Sequence, residues 1–413
     1  MPKVLIVAYH FPPLRGSSGI QRTLRFCRYL PEFGWDPVVL TAHPRAHEET
    51  STDLLGDLPR ELPISRAFAL NAALHLSFRG RYPKLLAVPD RWSSWFLGGV
   101  VAGMAAIRRH RVRAIFSTYP IATAHLIGLA LSRLSGLPWI ADFRDPMAQE
   151  GYPEDPLVWK SFRWIEERTL RRAARATFTS PSAIRDYQQR YPDIPRERFV
   201  LIENGYDEEA FAGLPTPVPS VENGGRRRLV LLHSGIVYPS ERDPTQLFQA
   251  LRMLRDQNLV DASTVEFRFR ASANVALLAG LAAQHGVSDL VSFPPPIPYR
   301  DALAEMCSAD ALLAMQAANC NSQIPAKVYE YLRARRPLLT LTDAQGDTAD
   351  LIRRAAAGPI VALDSATAIA SALPAFLAAV RAGAASIPSE EFAQAGSRRA
   401  RTLQLSRVLN AIA

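Results

Sequence analysis

The sequence predicts an α/β protein made of two doubly wound domains. Short strand-like apolar runs alternate with longer amphipathic stretches through the first half, the pattern of a parallel sheet with helices on both faces. After a segment of linker composition the same alternation starts again. At 413 residues the chain also exceeds what one ordinary hydrophobic core covers.

In chain order, the segment VLIVAYH reads as a first strand and Ile20 to Tyr29 as a helix. DPVVLTAH, AIFSTYP, PWIADFRD and ATFTSPS are short apolar runs that end in polar or turn residues. The stretches Ile121 to Leu134 and Trp159 to Arg175 lie between them and read as helices. Beyond Ala212 the chain is rich in proline, glycine and charge, as a linker is. Then follow LVLLHSG, a helix from Pro244 to Gln257, VEFRFRA, a helix near Val275 to His285, and LVSFPPPI. A helix from Tyr299 to Ala309, the strand ALLAM, the helix AKVYEYLRARR and the strand PLLTLT complete the second half. The border is expected within residues 205–226, and residues 389–413 are expected to form a C-terminal helix that packs back on the first domain.

With 48% hydrophobic and 21% charged residues the chain suits a folded protein rather than a disordered one. Cys27, Cys307 and Cys320 are an odd, widely spaced trio, which argues against a disulfide framework and a zinc site and fits a reducing cytosol. Prolines close the short N-terminal apolar run, so it reads as a strand and not as a signal peptide. The longest apolar run, Phe96 to Ile107, falls short of the roughly 20 residues that span a bilayer. The expectation is a soluble, cytoplasmic protein. The formal charge of +9 comes from an arginine-loaded chain in which Lys3, Lys84, Lys160 and Lys327 are the only lysines. Such a balance suits anionic ligands, nucleic acid or an acidic membrane. No nucleic-acid motif accompanies it. The clusters Arg108 to Arg113 and Arg168 to Arg175 read as solvated helix faces, with contact to the inner face of a membrane or a lipid-linked acceptor left open.

In doubly wound sheets ligands bind beyond the carboxyl ends of the strands, so the loops there are the candidates. After the first strand, HFPPLRGSSGIQR offers Gly16 and Gly19 for close backbone approach before a helix start, or else a plain flexible turn. It is neither GxGxxG nor a Walker A loop, which takes support from nicotinamide and P-loop chemistry. In IADFRDPM, Asp142, Arg144 and Asp145 can bind a polyol or orient an acceptor hydroxyl, or pair with one another to order the loop. In HSGIVYPSERDP, Gly235 and Arg242 precede a helix, where a guanidinium meets a diphosphate bidentately unless it pairs with Glu241 or Asp243. In QAANCNSQIPAKVYEYLRARR, Pro325 suits the first turn of a helix whose amides point at an anion. Lys327 and Glu330 then share one helix face, the ammonium for phosphate and the carboxylate for vicinal ribose hydroxyls; the alternative is an exposed ion pair of under about 1 kcal/mol. HExxH, paired CxxC, GxSxG and kinase motifs are missing, and His10, His125 and His233 are too scattered to suggest a metal.

Taken together these stretches resemble the family 4 glycosyltransferases, whose GT-B architecture sets two Rossmann-like domains facing across a cleft. FPPLRGSSGIQR, DFRDP near 142, ENGYDEEAF at 203 to 211, GIVYPSERDP at 235 to 244 and AKVYEYLRARRPLL at 326 to 339 occur in the family's order, over nearly the whole chain. NGYDEEAF resembles the family's boundary signature, which moves the border to residue 204: an acceptor-side domain of residues 1–203 and a donor domain of residues 204–388. The resemblance implies a retaining transfer of sugar from a nucleotide-diphosphate donor to an acceptor hydroxyl, without metal or other cofactor, in polysaccharide or glycoconjugate synthesis. The acceptor is a glycan, a lipid-linked sugar or a small molecule. By position it implies Gly16 and Gly19 by the donor phosphates or acceptor, Arg242 and Lys327 on the diphosphate, Glu330 on the ribose, and the base near Pro296 and Ile297.

Three positions depart from the family pattern. Ser322 stands where relatives often carry the first of two glutamates, Arg144 where they often carry a histidine, and Ile236 where a basic residue follows the glycine. The lost glutamate and the lone Arg242 motivate a second reading, a nucleotide-binding or scaffold protein without turnover; a third is a different enzyme of the same architecture, such as a nucleotide-sugar epimerase.

Overall fold

The computed structural model describes residues 1–15, 19–79, 81–214 and 227–413; Gly16 and the linker core 215–226 lie outside the described residues. The chain divides into two compact units, one of residues 1–203 with 398–413 and one of residues 204–397.

The first unit is built on seven parallel strands: β1 (Lys3–Val7), β2 (Asp36–Ala42), β3 (Ile64–Ala67), β4 (Val112–Thr118), β5 (Trp139–Phe143), β6 (Arg175–Phe178) and β7 (Phe199–Leu201). Their order is β3-β2-β1-β4-β5-β6-β7. A parallel sheet covered on both faces needs near-continuous apolar strands, and Val4 to Val7 of β1 are all fully buried. Alternate residues serve opposite faces. Leu5 and Val7 join a core with Trp95, Ile127 and Trp139, while Val4 and Ile6 join another with Phe26, Trp35 and Phe116. The Pro156–Arg172 helix starts where Asp155 caps the amides of Leu157 and Val158, with proline in the first turn.

The second unit has six parallel strands: β8 (Leu229–Ser234), β9 (Val265–Arg270), β10 (Val291–Ser292), β11 (Ala311–Gln316), β12 (Leu338–Thr342) and β13 (Ile360–Val361). The order β10-β9-β8-β11-β12-β13 repeats the doubly wound plan. Leu231, Phe267 and Leu313 face one core. Leu232, Leu312 and Leu338 face another, against Val328, Tyr331 and Leu332 of the Ala326–Ala334 helix.

Two expectations change. Residues 389–413 are not one helix: Glu390–Ala395 belongs to the second unit and Arg398–Asn410 to the first, with Gly396 at the break. Ser397, the last residue of the second unit, forms a bridge with Tyr206 of the same unit. The arginine clusters also do not sit wholly on helices. Arg111 ends its helix in a left-handed conformation and Arg113 lies in β4, while Arg175 opens β6.

Candidate functional site

In both sheets the winding reverses beside the first strand, between β1 and β4 and between β8 and β11, which opens a crevice at the carboxyl ends of those strands. The predicted residues lie in the loops that follow these strands.

In the second unit, the loop after β8 is stitched to the loop after β11. Ala317 N donates to Glu241 O at 2.7 Å and Asn319 Nδ2 to Ser240 O at 3.0 Å. The second loop is fixed from below, where Gln316 Nε2 donates to the carbonyls of Cys320 (2.8 Å) and Gln323 (2.9 Å). These bonds hold Ser322, in part buried, just ahead of Pro325, which immediately precedes the helix rather than sitting in its first turn. Lys327 reaches from that helix to the end of β8, its Nζ donating to Ser234 O at 2.7 Å. A side-chain carbon at Gly235 would occupy the ammonium's place, and the residue's φ of 114° is one that only glycine adopts without strain.

Burial, reinforced by the charge of Arg242 and opposed by Glu330, lowers the Lys327 ammonium from 10.5 to about 7. Arg242 and Lys327 line the same small cavity with Met315, Gln316 and Val328. Arg242 Nη1 donates to Ile236 O at 3.0 Å, and its other end meets Glu241 at 3.6 Å, so the surface pair considered from sequence forms without drawing the guanidinium from the site. Glu330 accepts from the Tyr299 hydroxyl at 2.7 Å. Tyr299 opens the helix two residues beyond Ile297, so this bond ties the exposed Pro296 and half-buried Ile297 to the Lys327 helix. The structure therefore brings Gly235, Arg242, Lys327 and Glu330 together, with the Pro296–Ile297 loop alongside. His233, named from the sequence in the same loop as Gly235 and Arg242, lies one residue from the end of β8. Its Nδ1 lies 3.0 Å from Leu313 O, and burial, then the Lys327 charge, hold the ring neutral.

In the first unit the aspartates of ADFRD separate. Asp142 is fully buried and its carboxylate is already used. Arg22 donates at 2.8 and 3.1 Å, Thr177 at 2.7 Å and Thr118 at 2.9 Å. Burial alone would raise this carboxyl, but the Arg22 charge and hydrogen bonds outweigh it and hold it low. This corrects the expectation that Asp142 orients an acceptor: it locks β4, β5 and β6 to the Gly19–Tyr29 helix. Asp145 is exposed and acts on Arg144 through its charge. Arg144 donates to Gly19 O at 3.0 Å, and a side-chain carbon at Gly19 would collide with the Arg144 guanidinium and the His10 ring. His10 is the residue that sequence reasoning passed over. Burial, then the Arg144 charge, lowers its imidazole to about 3, so it stays neutral beside a fixed cation at the end of β1. A histidine directly after a first strand is the signal that could have found it.

Residues 18–205 match the model of the glycosyl transferase 4-like domain. The match covers less than half of the chain, and the fold of the whole is of the GT-B kind. Solved structures resemble it over its full length. Sucrose-phosphate synthase (tll1590) from Thermosynechococcus elongatus is 15% identical, with TM-score 0.63, covering 100% of this chain and 99% of the other. Anabaena Alr3699/HepE in complex with UDP-glucose is 14% identical, with TM-score 0.63 and 99% of each chain covered. WaaG, a glycosyltransferase involved in lipopolysaccharide biosynthesis, is 14% identical, with TM-score 0.59 and again 99% of each covered. At these identities the likeness is one of fold. Among curated proteins the sequence finds no match. Among the described residues no helix is long and apolar enough to cross a membrane.

Proposed function

We propose that this protein is a glycosyltransferase that takes a nucleotide-diphosphate sugar as donor on its second unit and passes the sugar, with retention and without a metal, to an acceptor hydroxyl of a glycan or glycoconjugate. The observation that carries the reading is the convergence of Lys327, Arg242 and the start of the Ala326–Ala334 helix at one crevice. Two cations and a helix N-terminus supply the positive charge that a departing diphosphate requires. Glu330, steadied by Tyr299, is placed to accept the two ribose hydroxyls, and the base rests on the Pro296–Ile297 backbone. The complex of Anabaena Alr3699/HepE with UDP-glucose supports a donor of this class. On the first unit, Arg144 and the neutral imidazole of His10 form a donor and acceptor pair suited to a sugar hydroxyl. Gly16 is proposed to approach the donor phosphates or acceptor by its backbone.

The test is calorimetric titration with UDP, GDP and ADP, followed by their glucose conjugates with and without EDTA. Lys327→Ala is expected to weaken diphosphate binding by about thirty-fold, the loss of one charged hydrogen-bonding partner worth ~2 kcal/mol. Glu330→Ala weakens it less. Arg144→Ala leaves nucleotide binding intact and lowers turnover. Wild-type nucleotide affinity in both second-unit variants would remove the site from this helix. Turnover abolished by EDTA and restored by a divalent cation would overturn metal independence.

A further inference from the structure

The net charge of this chain is confined to one stretch. Residues 62–141 carry nine arginines and one lysine against a single acid, Asp90, a net of +9, which equals the formal charge of the whole protein. Everything outside the stretch is balanced. Asp90 does not offset the excess at the surface, because its carboxylate turns inward onto Thr123, accepting from its amide at 2.8 Å and its hydroxyl at 2.9 Å.

The same stretch exposes large apolar side chains. Phe78 is 77% exposed, Leu85 75%, Val101 73% and Leu97 72%. Leu97, Val101 and Ala105 follow one another at four-residue spacing on the Trp95–His110 helix, and all three are exposed. They form an apolar stripe on the solvent side that ends at the exposed Arg108 and Arg109. Phe68 packs over Gly98 of this helix and carries the Arg45 guanidinium 4.8 Å above its ring. The segment with Leu74, Phe78, Leu85 and Leu86 is tied to the helix start, since Ser94 Oγ donates to Leu70 O and Ser93 Oγ to Leu86 O. Phe78 is flanked by Arg79 and Arg81.

We propose that this face of the first unit is a docking surface for an anionic lipid bilayer. Apolar side chains interleaved with arginines fit an interface in which the former enter the acyl boundary and the latter meet lipid phosphates. A nucleic acid would use the charge but leave Leu97, Val101 and Leu85 in water. An acidic protein would need carboxylates matched to each arginine around an apolar centre. The surface has no part in donor binding, so it stands or falls apart from the proposed reaction.

Vesicle flotation of the intact protein tests it, with phosphatidylcholine alone and with phosphatidylglycerol added. Binding to the mixed vesicles alone is expected. The variant Arg79→Gln/Arg81→Gln binds them about thirty-fold more weakly, and Leu97→Gln/Val101→Gln loses binding even at low salt. Both retain wild-type circular dichroism and UDP affinity, since the substituted side chains are exposed. Absence of vesicle binding, equal binding of the variants, or capture by RNA with no capture by vesicles would overturn the proposal.

Discussion

At the scale of the residue, Lys327 shows how an ordinary side chain becomes a ligand-dependent charge. Its ammonium ionises at about 7 in the free protein, well below the usual 10.5, because it is buried beside Arg242. Above pH 7 the free site therefore holds mostly neutral amine. A bound diphosphate favours the ammonium, so binding takes up a proton, and each pH unit above 7 costs roughly a factor of ten in affinity. Titrating UDP from pH 7 to 9 is expected to show that slope in the wild type and a flat profile in Lys327→Ala. A flat wild-type profile would mean that the ammonium does not meet the phosphates. Lys327 was legible in the sequence because it is the only lysine in the second half of an arginine-rich chain, two residues after a helix-starting proline. Asp142 was misread for an equally physical reason. Strand β5 is buried on both faces, so no alternation of polar and apolar residues marks which way its aspartate points. Its partner, Arg22, lies 120 residues away and nothing local announces the pair.

At the scale of the element, strands and long helices were legible because their apolar periodicities differ, and both sheets follow from the alternation alone. The C-terminal segment was not. Phe392 packs in the second unit and Leu405 and Leu409 in the first. The Arg398–Asn410 helix is fixed in the first unit by Arg401 to Glu203 at 2.5 Å and by Trp35 Nε1 to Asn410 Oδ1 at 2.7 Å. Leu405, 1% exposed, fills a core shared with Phe26 and Trp35. Leu405→Ala is therefore expected to destabilise the first unit by about 3 kcal/mol, the cost of a buried leucine with partial collapse of its cavity. Urea denaturation followed by tryptophan fluorescence measures it, and a loss below about 1 kcal/mol would mean the helix contributes little to that core.

At the scale of the whole molecule, each unit has its own cores, and the chemistry is divided as the charge is. The second unit holds Lys327 and Arg242 at one small cavity, where the proposed function has them meet a diphosphate. The first holds the broad excess of arginine on an exposed apolar face, where many weak contacts add. These are two ways of meeting phosphate, and they predict two separate footprints in hydrogen exchange. With UDP present, slowed exchange is expected at residues 234–242 and 326–331, because the ligand steadies the loop after β8 and the helix start that Lys327 ties to it through Ser234 O at 2.7 Å. With phosphatidylglycerol vesicles present, slowing is expected at residues 70–105 and not in those loops. UDP protection falling instead on Gly19 and Arg144 would place the donor on the first unit and reverse the proposed roles. Vesicle protection at residues 234–242 would mean that the lipid phosphates are captured by the donor site, and the arginine-rich face would lose its function.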